Sequence, residues 1–192
     1  MDRKPGHLTK KVPDVAKTLI WVKIVGIGNA GIGKTCIIKN FCESKFNSGY
    51  QPTVGVDYGF KIQSIQGVDL RVHLWDLSGN QEYTDVRNEL YGDTDAVFLA
   101  YDVTNEASYE ALDGWLKEWN KYGPQTAEVT LVGNKTDLKP KRVVSMADGK
   151  KWANAHKFNY YETSASTGEG VEKMFHDLLV TVMKKRKLLP KD

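Results

Sequence analysis

The chain of 192 residues is 41% hydrophobic and 27% charged, which fits one domain of ordinary size and excludes a collagenous repeat, a disordered tail or two packed domains. The formal charge is only +3, but residues 1–17 hold five Lys or Arg against two Asp and residues 184–192 hold five against one, so the body between them is net acidic. A nucleic-acid-binding face would cluster basic residues on the domain itself, so no nucleic-acid partner is expected.

Residues 1–18 read as a basic, flexible extension without the apolar stretch and cleavage site of a secretory signal. The longest apolar runs, such as residues 96–101, fall far short of the roughly 20 residues that span a bilayer. Cys36 and Cys42 form neither a CxxC pair nor a disulfide framework and read as small core or boundary residues. A reduced compartment, cytoplasmic or nuclear, is the expectation.

From Leu19, LIWVKIVGIG reads as a strand, followed by a glycine-rich turn and the helix GKTCIIKNFCESKF. YGFKIQSI and DLRVHLW alternate and are β-branched, and their short connection through Gln66-Gly67-Val68 makes them a hairpin. AVFLAYDV, EVTLVGN and FNYYET are three further strands, separated by segments of helical spacing. In the last helix Val171, Met174, Phe175, Leu178, Leu179 and Val182 form one core-facing stripe. The alternation predicts an α/β fold over residues 19–183: a six-stranded, mostly parallel sheet with one antiparallel strand, helices on both faces, and a basic tail at 184–192. Ligands of such sheets lie beyond the carboxyl ends of the strands.

The first strand end carries Gly28-Asn29-Ala30-Gly31-Ile32-Gly33-Lys34-Thr35, which matches GxxxxGK[ST] between a strand and a helix. Glycines let backbone N–H groups curl around phosphate oxygens at a helix start whose dipole favours anions. Lys34 then reaches the β- and γ-phosphates and Thr35 offers its hydroxyl to Mg²⁺. The bland alternative is a glycine-rich turn with an exposed lysine. ATPases, kinases and GTPases share this loop, so the base is decided elsewhere. Asn134-Lys135-Thr136-Asp137 ends another strand, and an aspartate there accepts two N–H bonds from guanine but meets an acceptor on adenine. Asn134 is placed to tie this loop to the phosphate loop, and the stem of Lys135 to cover one face of the base. As a simple type I turn, NKTD would need none of this.

With GNAGIGKT, PTVGVD, WDLSG, NKTD and ETSAS in this order, the chain resembles the Ras superfamily of small GTPases over roughly residues 19–183. VGVDY, RVHLW and LAYDVT resemble the Rab branch, and NAGIGKTCIIKNFCE with DVRNELY most resembles the J-domain-associated Rab-like subgroup (RBJ). Nine residues follow Met183, so no J domain is expected within the chain. The resemblance implies a GTP/GDP-binding, Mg²⁺-dependent monomer that hydrolyses GTP and switches two loops. It implies that Phe46 stacks on guanine, that Tyr50, Pro52 and Thr53 lie in the first switch, and that Thr53 and Thr35 bind Mg²⁺ with Asp76. Gly79 would contact the γ-phosphate through its N–H, and Ser164 and Ala165 would complete the base pocket. The implied nucleotide set also takes in Asn29, Ala30, Gly31, Ile32, Gly33, Cys36, Leu138 and Ser166, and the implied partners are an exchange factor, an activating protein and an effector at residues 46–58 and 75–91.

Departures cluster around the expected chemistry. Asn80 stands where most of the superfamily has a water-orienting glutamine, with Gln81 one position later, so the catalytic set reads Lys34, Thr53, Gly79 and Asn80 or Gln81. Ala30 puts a Cβ where an arginine finger would approach. Leu77-Ser78 replace the usual TA, and Ser166 replaces a lysine. Of three aromatics that Rab proteins use toward effectors, Tyr58 and Trp75 match and the third position is Leu90. No cysteine follows Cys42, so no prenyl anchor is expected. Weak hydrolysis is the expectation, and the alternative is a nucleotide-loaded binding module that barely turns over. Trp115 and Trp119 read as packing, and the basic run at residues 184–187 as a solvated helix end, with a nuclear import signal or contact with anionic lipid as the alternatives.

Overall fold

The computed structural model describes residues 19–46, 49 and 51–189, so the amino-terminal extension and Tyr50 lie outside the described residues. Six strands, β1 (Ile20–Ile27), β2 (Val56–Ile65), β3 (Val68–Leu77), β4 (Ala96–Asp102), β5 (Glu128–Asn134) and β6 (Asn159–Thr163), form one sheet in the order β2-β3-β1-β4-β5-β6. Every pairing is parallel except β2 with β3. The hairpin turn is tighter than the sequence suggests. Gln66 and Gly67 alone make it, both at positive φ (50° and 79°), and Val68 already belongs to β3, where it pairs with Ile65. Two residues at positive φ suit the twist of an antiparallel pair, and the glycine takes that conformation without strain.

Among the described residues six α-helices surround the sheet: α1 (Lys34–Glu43), α2 (Thr84–Leu90), α3 (Glu106–Glu110), α4 (Leu112–Tyr122), α5 (Met146–Ala155) and α6 (Val171–Lys185). Strand alternation sorts the core into two layers. Val22 and Ile24 of β1 with Ala96, Phe98 and Ala100 of β4 pack against Phe41 of α1 and Phe175 of α6. Val25, Ile27, Val97, Leu99 and Tyr101 pack the other way, against Trp115 and Trp119 of α4 and Ala153 of α5. All seven residues of β4 are buried, as a central parallel strand covered on both faces should be. The stripe read from the last helix is buried as expected, and that helix runs past the boundary drawn at Met183, with Leu188 and Leu189 packed on the same core. No helix among the described residues is long and apolar enough to cross a membrane.

The carboxyl ends of the parallel strands converge. β1 runs into the glycine-rich loop, β3 into Ser78-Gly79, β5 into Lys135-Thr136-Asp137 and β6 into Ser164-Ala165.

Candidate functional site

A cleft of about 400 Å³ opens at these strand ends. Its floor is the loop from Gly28 to Gly33, whose path only glycine permits at two points. Gly28 has φ 135°, and a Cβ there would lie 2.3 Å from the Ala100 carbonyl oxygen; Gly33 has φ 97°, and a Cβ would meet Asn134 Nδ2 at 2.5 Å. Gly33 also caps α1 without any side-chain hydrogen bond, unlike Asn105 on α3 and Ser145 on α5, whose side chains accept from the first helical turn. The first N–H groups of α1 therefore keep their donor capacity for an anion.

Lys34 is the feature that makes the loop chemical. It is only 5% exposed, and its ammonium donates to the carbonyls of Gly28 (2.8 Å) and Asn29 (2.9 Å). Burial lowers its pKa to about 8, a drop that nearby Asp76 opposes and Arg87 adds to. A cation held this way is incompletely compensated by the protein, and an oxyanion beside it would complete the solvation that burial removed.

Behind Lys34 three oxygen-bearing side chains meet. Thr35 Oγ1 and Thr53 Oγ1 lie 3.0 Å apart, and both donate to Asp76 Oδ2, Thr53 at 3.1 Å. Asp76 is 1% exposed, and its Oδ1 is buried without a hydrogen-bond partner among the described residues. Burial pushes its carboxyl pKa upward, against the pull of the Thr35 hydroxyl and of Lys34. An orphaned buried carboxylate oxygen beside two hydroxyls is a hard-oxygen set that fits Mg²⁺.

At the other end of the cleft the base loop is cross-tied. Asn134, 1% exposed, donates through Nδ2 to Ile32 O (2.9 Å), and its Oδ1 accepts from Thr163 Oγ1 (3.0 Å) and Ala165 N (3.2 Å). Lys135, at φ 69°, sends its ammonium to Gly31 O (2.7 Å) and to Asp102 Oδ2 (2.7 Å), leaving its stem across the cleft. Asp137 Oδ1 accepts from Ser164 Oγ (2.6 Å), which orients the carboxylate on the cleft wall. Asn40 of α1 donates to Ala165 O (3.4 Å).

The structure brings most of the expected residues to the wall, from Ala30, Gly31 and Gly33 through Thr35, Cys36, Phe46 and Thr53 to Leu138, Ala165 and Ser166. Among the described residues five sit elsewhere. Ile32 is core, Ser164 is fully buried beneath Asp137, Asp76 lines a smaller cavity behind Thr35, and Asn29 and Gln81 line a neighbouring groove. Gly79 lies against the floor so closely that a Cβ would fall 2.2 Å from Ala30 N. The two neighbouring amides part company: Asn80 lines the cleft, whereas Gln81 lines an adjacent groove between α2 and α4 together with Asn29.

That groove holds residues the sequence reading passed over. Trp115 packs in the core as read, but its Nε1 also donates to Asn29 Oδ1 (2.6 Å), a link across 86 positions. Arg87, 2% exposed, grips the carbonyls of Ser78 and Asn80 and pairs with Glu118. Nothing local marks these partners. The i, i+4 spacing of Trp115 and Trp119 reports packing, and a lone arginine in a polar helix reads as solvated.

The Ras family sequence model matches residues 23–184. The chain is 38% identical over 167 residues to DnaJ homolog subfamily C member 27 of Homo sapiens, covering 84% of this chain and 61% of that protein. Over 171 residues it is 38% identical to the Danio rerio protein of that name, covering 86% and 63%. Against DnaJ homolog subfamily C member 27-B of Xenopus laevis it is 40% identical over 178 residues, covering 88% and 64%. The chain thus spans about three-fifths of the length of these relatives, whose names agree with the J-domain-associated subgroup that its motifs resemble. With the family match covering both the phosphate loop and the base loop, the chain belongs to the Ras family of small GTPases.

Proposed function

We propose that this chain is a Rab-like guanine-nucleotide switch that binds GTP and GDP with one Mg²⁺ and hydrolyses GTP slowly. The observation that carries the reading is Lys34, a buried cation at the floor of a cleft whose far wall ends in Asp137. The N–H groups of the loop and the Lys34 ammonium take the phosphates, while Asp137 accepts the N–H groups of guanine and Lys135 and Phe46 cover the ring. Thr35, Thr53 and Asp76 are the residues that would hold Mg²⁺, which when bound offsets phosphate charge. Little covalent chemistry remains for the protein: it positions water for in-line attack on the γ-phosphorus and stabilises the charge that develops on the phosphoryl oxygens. Asn80 takes the water-positioning role because it lines the cleft, which Gln81 does not. Being one methylene shorter than glutamine, it orients the water poorly, and a displacement of about 1 Å can cost on the order of 10²-fold in rate.

Switching follows from what holds the two loops. Thr53 and Gly79 would each touch the γ-phosphate or its metal, so loss of that phosphate removes their common tether and changes residues 46–58 and 75–91 together. An exchange factor, an activating protein and effectors would read those segments. The second reading, a loaded module with negligible turnover, is favoured by one observation, the placement of Gln81 outside the cleft.

The test is nucleotide preference. The protein should bind GTP and GDP and not ATP, and Asp137→Asn should lose guanine nucleotides while gaining xanthosine triphosphate. Equal binding of ATP and GTP, or an Asp137→Asn variant with unchanged preference, would overturn the assignment.

A further inference from the structure

Arg87 is the most fully engaged side chain near the site. Nε and Nη2 bind the two oxygens of Glu118 (3.0 and 3.1 Å), Nη2 also donates to Thr84 Oγ1 (3.1 Å), and Nη1 donates to Ser78 O (3.0 Å) and Asn80 O (2.6 Å). Those five bonds match the five N–H groups of a guanidinium. Glu118 accepts further from Tyr91 Oη (2.7 Å), and the Arg87 guanidinium lies 4.7 Å from the centre of the Trp115 ring, whose Nε1 holds Asn29 of the phosphate loop. The two carbonyls under Nη1 flank Gly79. Asn80 is also held from its other side, its N–H reaching Ser78 Oγ at 3.4 Å, a contact that the Ser78 departure from alanine supplies. Backbone held at both ends of one residue fixes where that residue's side chain points, and here it leaves Asn80 in the cleft and Gln81 outside it.

We propose that Arg87 and Glu118 act as a positioning bracket for GTP hydrolysis: α4 anchors Arg87, and Arg87 fixes the Gly79-Asn80 backbone so that Asn80, and not Gln81, faces the attacking water. The inference rests on the proposed function, since it names what orients that site's water-positioning residue. Neither residue touches the reacting atoms. Because Glu118 stands on a helix packed in the core and linked through Trp115 to Asn29, the bracket also keeps the second switch in register with the phosphate loop.

The experiment loads the full chain with GTP and follows a single turnover in Mg²⁺ for the wild type, Glu118→Gln, Arg87→Lys and Thr84→Ala. GDP and GTP dissociation rates are measured in parallel. The amplitude counts folded, loaded molecules and the rate constant reports only on those, so a loss of folding does not masquerade as a loss of positioning. Glu118→Gln keeps the shape but weakens the grip, and Arg87→Lys replaces the fork with one ammonium that cannot reach all its partners. Both should slow hydrolysis about tenfold or more, with GDP dissociation within about twofold of the wild type, as expected when only transition-state interactions are lost. Should these two variants fail to load, Thr84→Ala, which removes the part-buried bond from Arg87 and the hydroxyl's own donation to Gln81 O (2.7 Å), should still slow the reaction several-fold. Unchanged rate constants, or nucleotide release accelerated in step with hydrolysis loss, would make the pair merely structural and overturn the bracket. A wild type that holds GTP without turnover would overturn the bracket and the hydrolytic half of the proposed function while leaving nucleotide binding in place, whereas one that binds no GTP would overturn the proposed function beneath it.

Discussion

The two ends of the cleft are built differently. At the base end, Asn134 spends its amide on three partners from two other loops, Lys135 is pinned by Gly31 and Asp102, and Asp137 is oriented by Ser164. These ties join the ends of β1, β5 and β6 to one another without needing a ligand. At the γ-phosphate end, the Thr53 hydroxyl contacts Thr35 and Asp76, Asp76 keeps a buried oxygen without a partner among the described residues, and Lys34 is a buried cation leaning on two carbonyls. A finished network binds in one fixed way; an unfinished one changes state with what completes it. On the proposed reading, the contrast separates the part of the pocket that holds the base from the part that would switch, and the departures Ala30, Leu77-Ser78 and Asn80 fall at the unfinished end, whereas Ser166 lies at the base end.

The largest expected effect comes from removing the charge that the γ-phosphate end leaves uncompensated. Lys34→Ala should weaken GTP binding by about 10²-fold or more, since it deletes charge-assisted bonds of roughly 1.5–3 kcal/mol each. Titration calorimetry checks this, and retained affinity would mean that the loop backbone alone holds the phosphates. A smaller effect separates the two ends. Thr35→Asn should shift preference toward GDP by about tenfold, equivalent to roughly 1.4 kcal/mol, and addition of a chelator should speed nucleotide release from the wild type more than from the variant. If both nucleotides weaken equally, Thr35 serves the phosphate loop and not the metal. The smallest effect sharpens the chemistry: Asn80→Gln should raise single-turnover hydrolysis several-fold, toward the value a correctly placed amide supplies. An unchanged rate would move the limitation to another residue of the second switch.

How much of this was legible in the sequence follows the same division. The strands, the hairpin and the α6 stripe show in hydrophobic period because burial on one or both faces imposes it, and β4 reads as a continuous apolar run because both its faces are covered. GNAGIGKT and NKTD are legible because each is one short loop whose function requires adjacent residues. The tie from Asn134 to the phosphate loop could be foreseen since the asparagine sits inside a motif, and the structure forms it to Ile32 O. What could not be read is a contact whose halves belong to different elements with ordinary local patterns. Arg87 and Glu118 lie 31 positions apart, and Trp115 and Asn29 lie 86 apart. Only the packing of α4 on the sheet brings them together, and no spacing rule encodes it. The sequence also left Asn80 and Gln81 as competitors; in the structure Asn80 lines the cleft and Gln81 the groove beside it.

The central claim is that this cleft both holds a guanine nucleotide and turns it over, slowly, with Asn80 at the water-positioning place. Its most direct test is single-turnover hydrolysis of preloaded GTP by the purified chain in Mg²⁺, identifying the bound nucleotide before and after. Conversion of bound GTP to bound GDP at a rate near or below the slow intrinsic range of roughly 10⁻⁴ per second is the expected result. GTP that stays intact and bound throughout would contradict the hydrolytic half of the claim and leave a latch whose release depends on a partner.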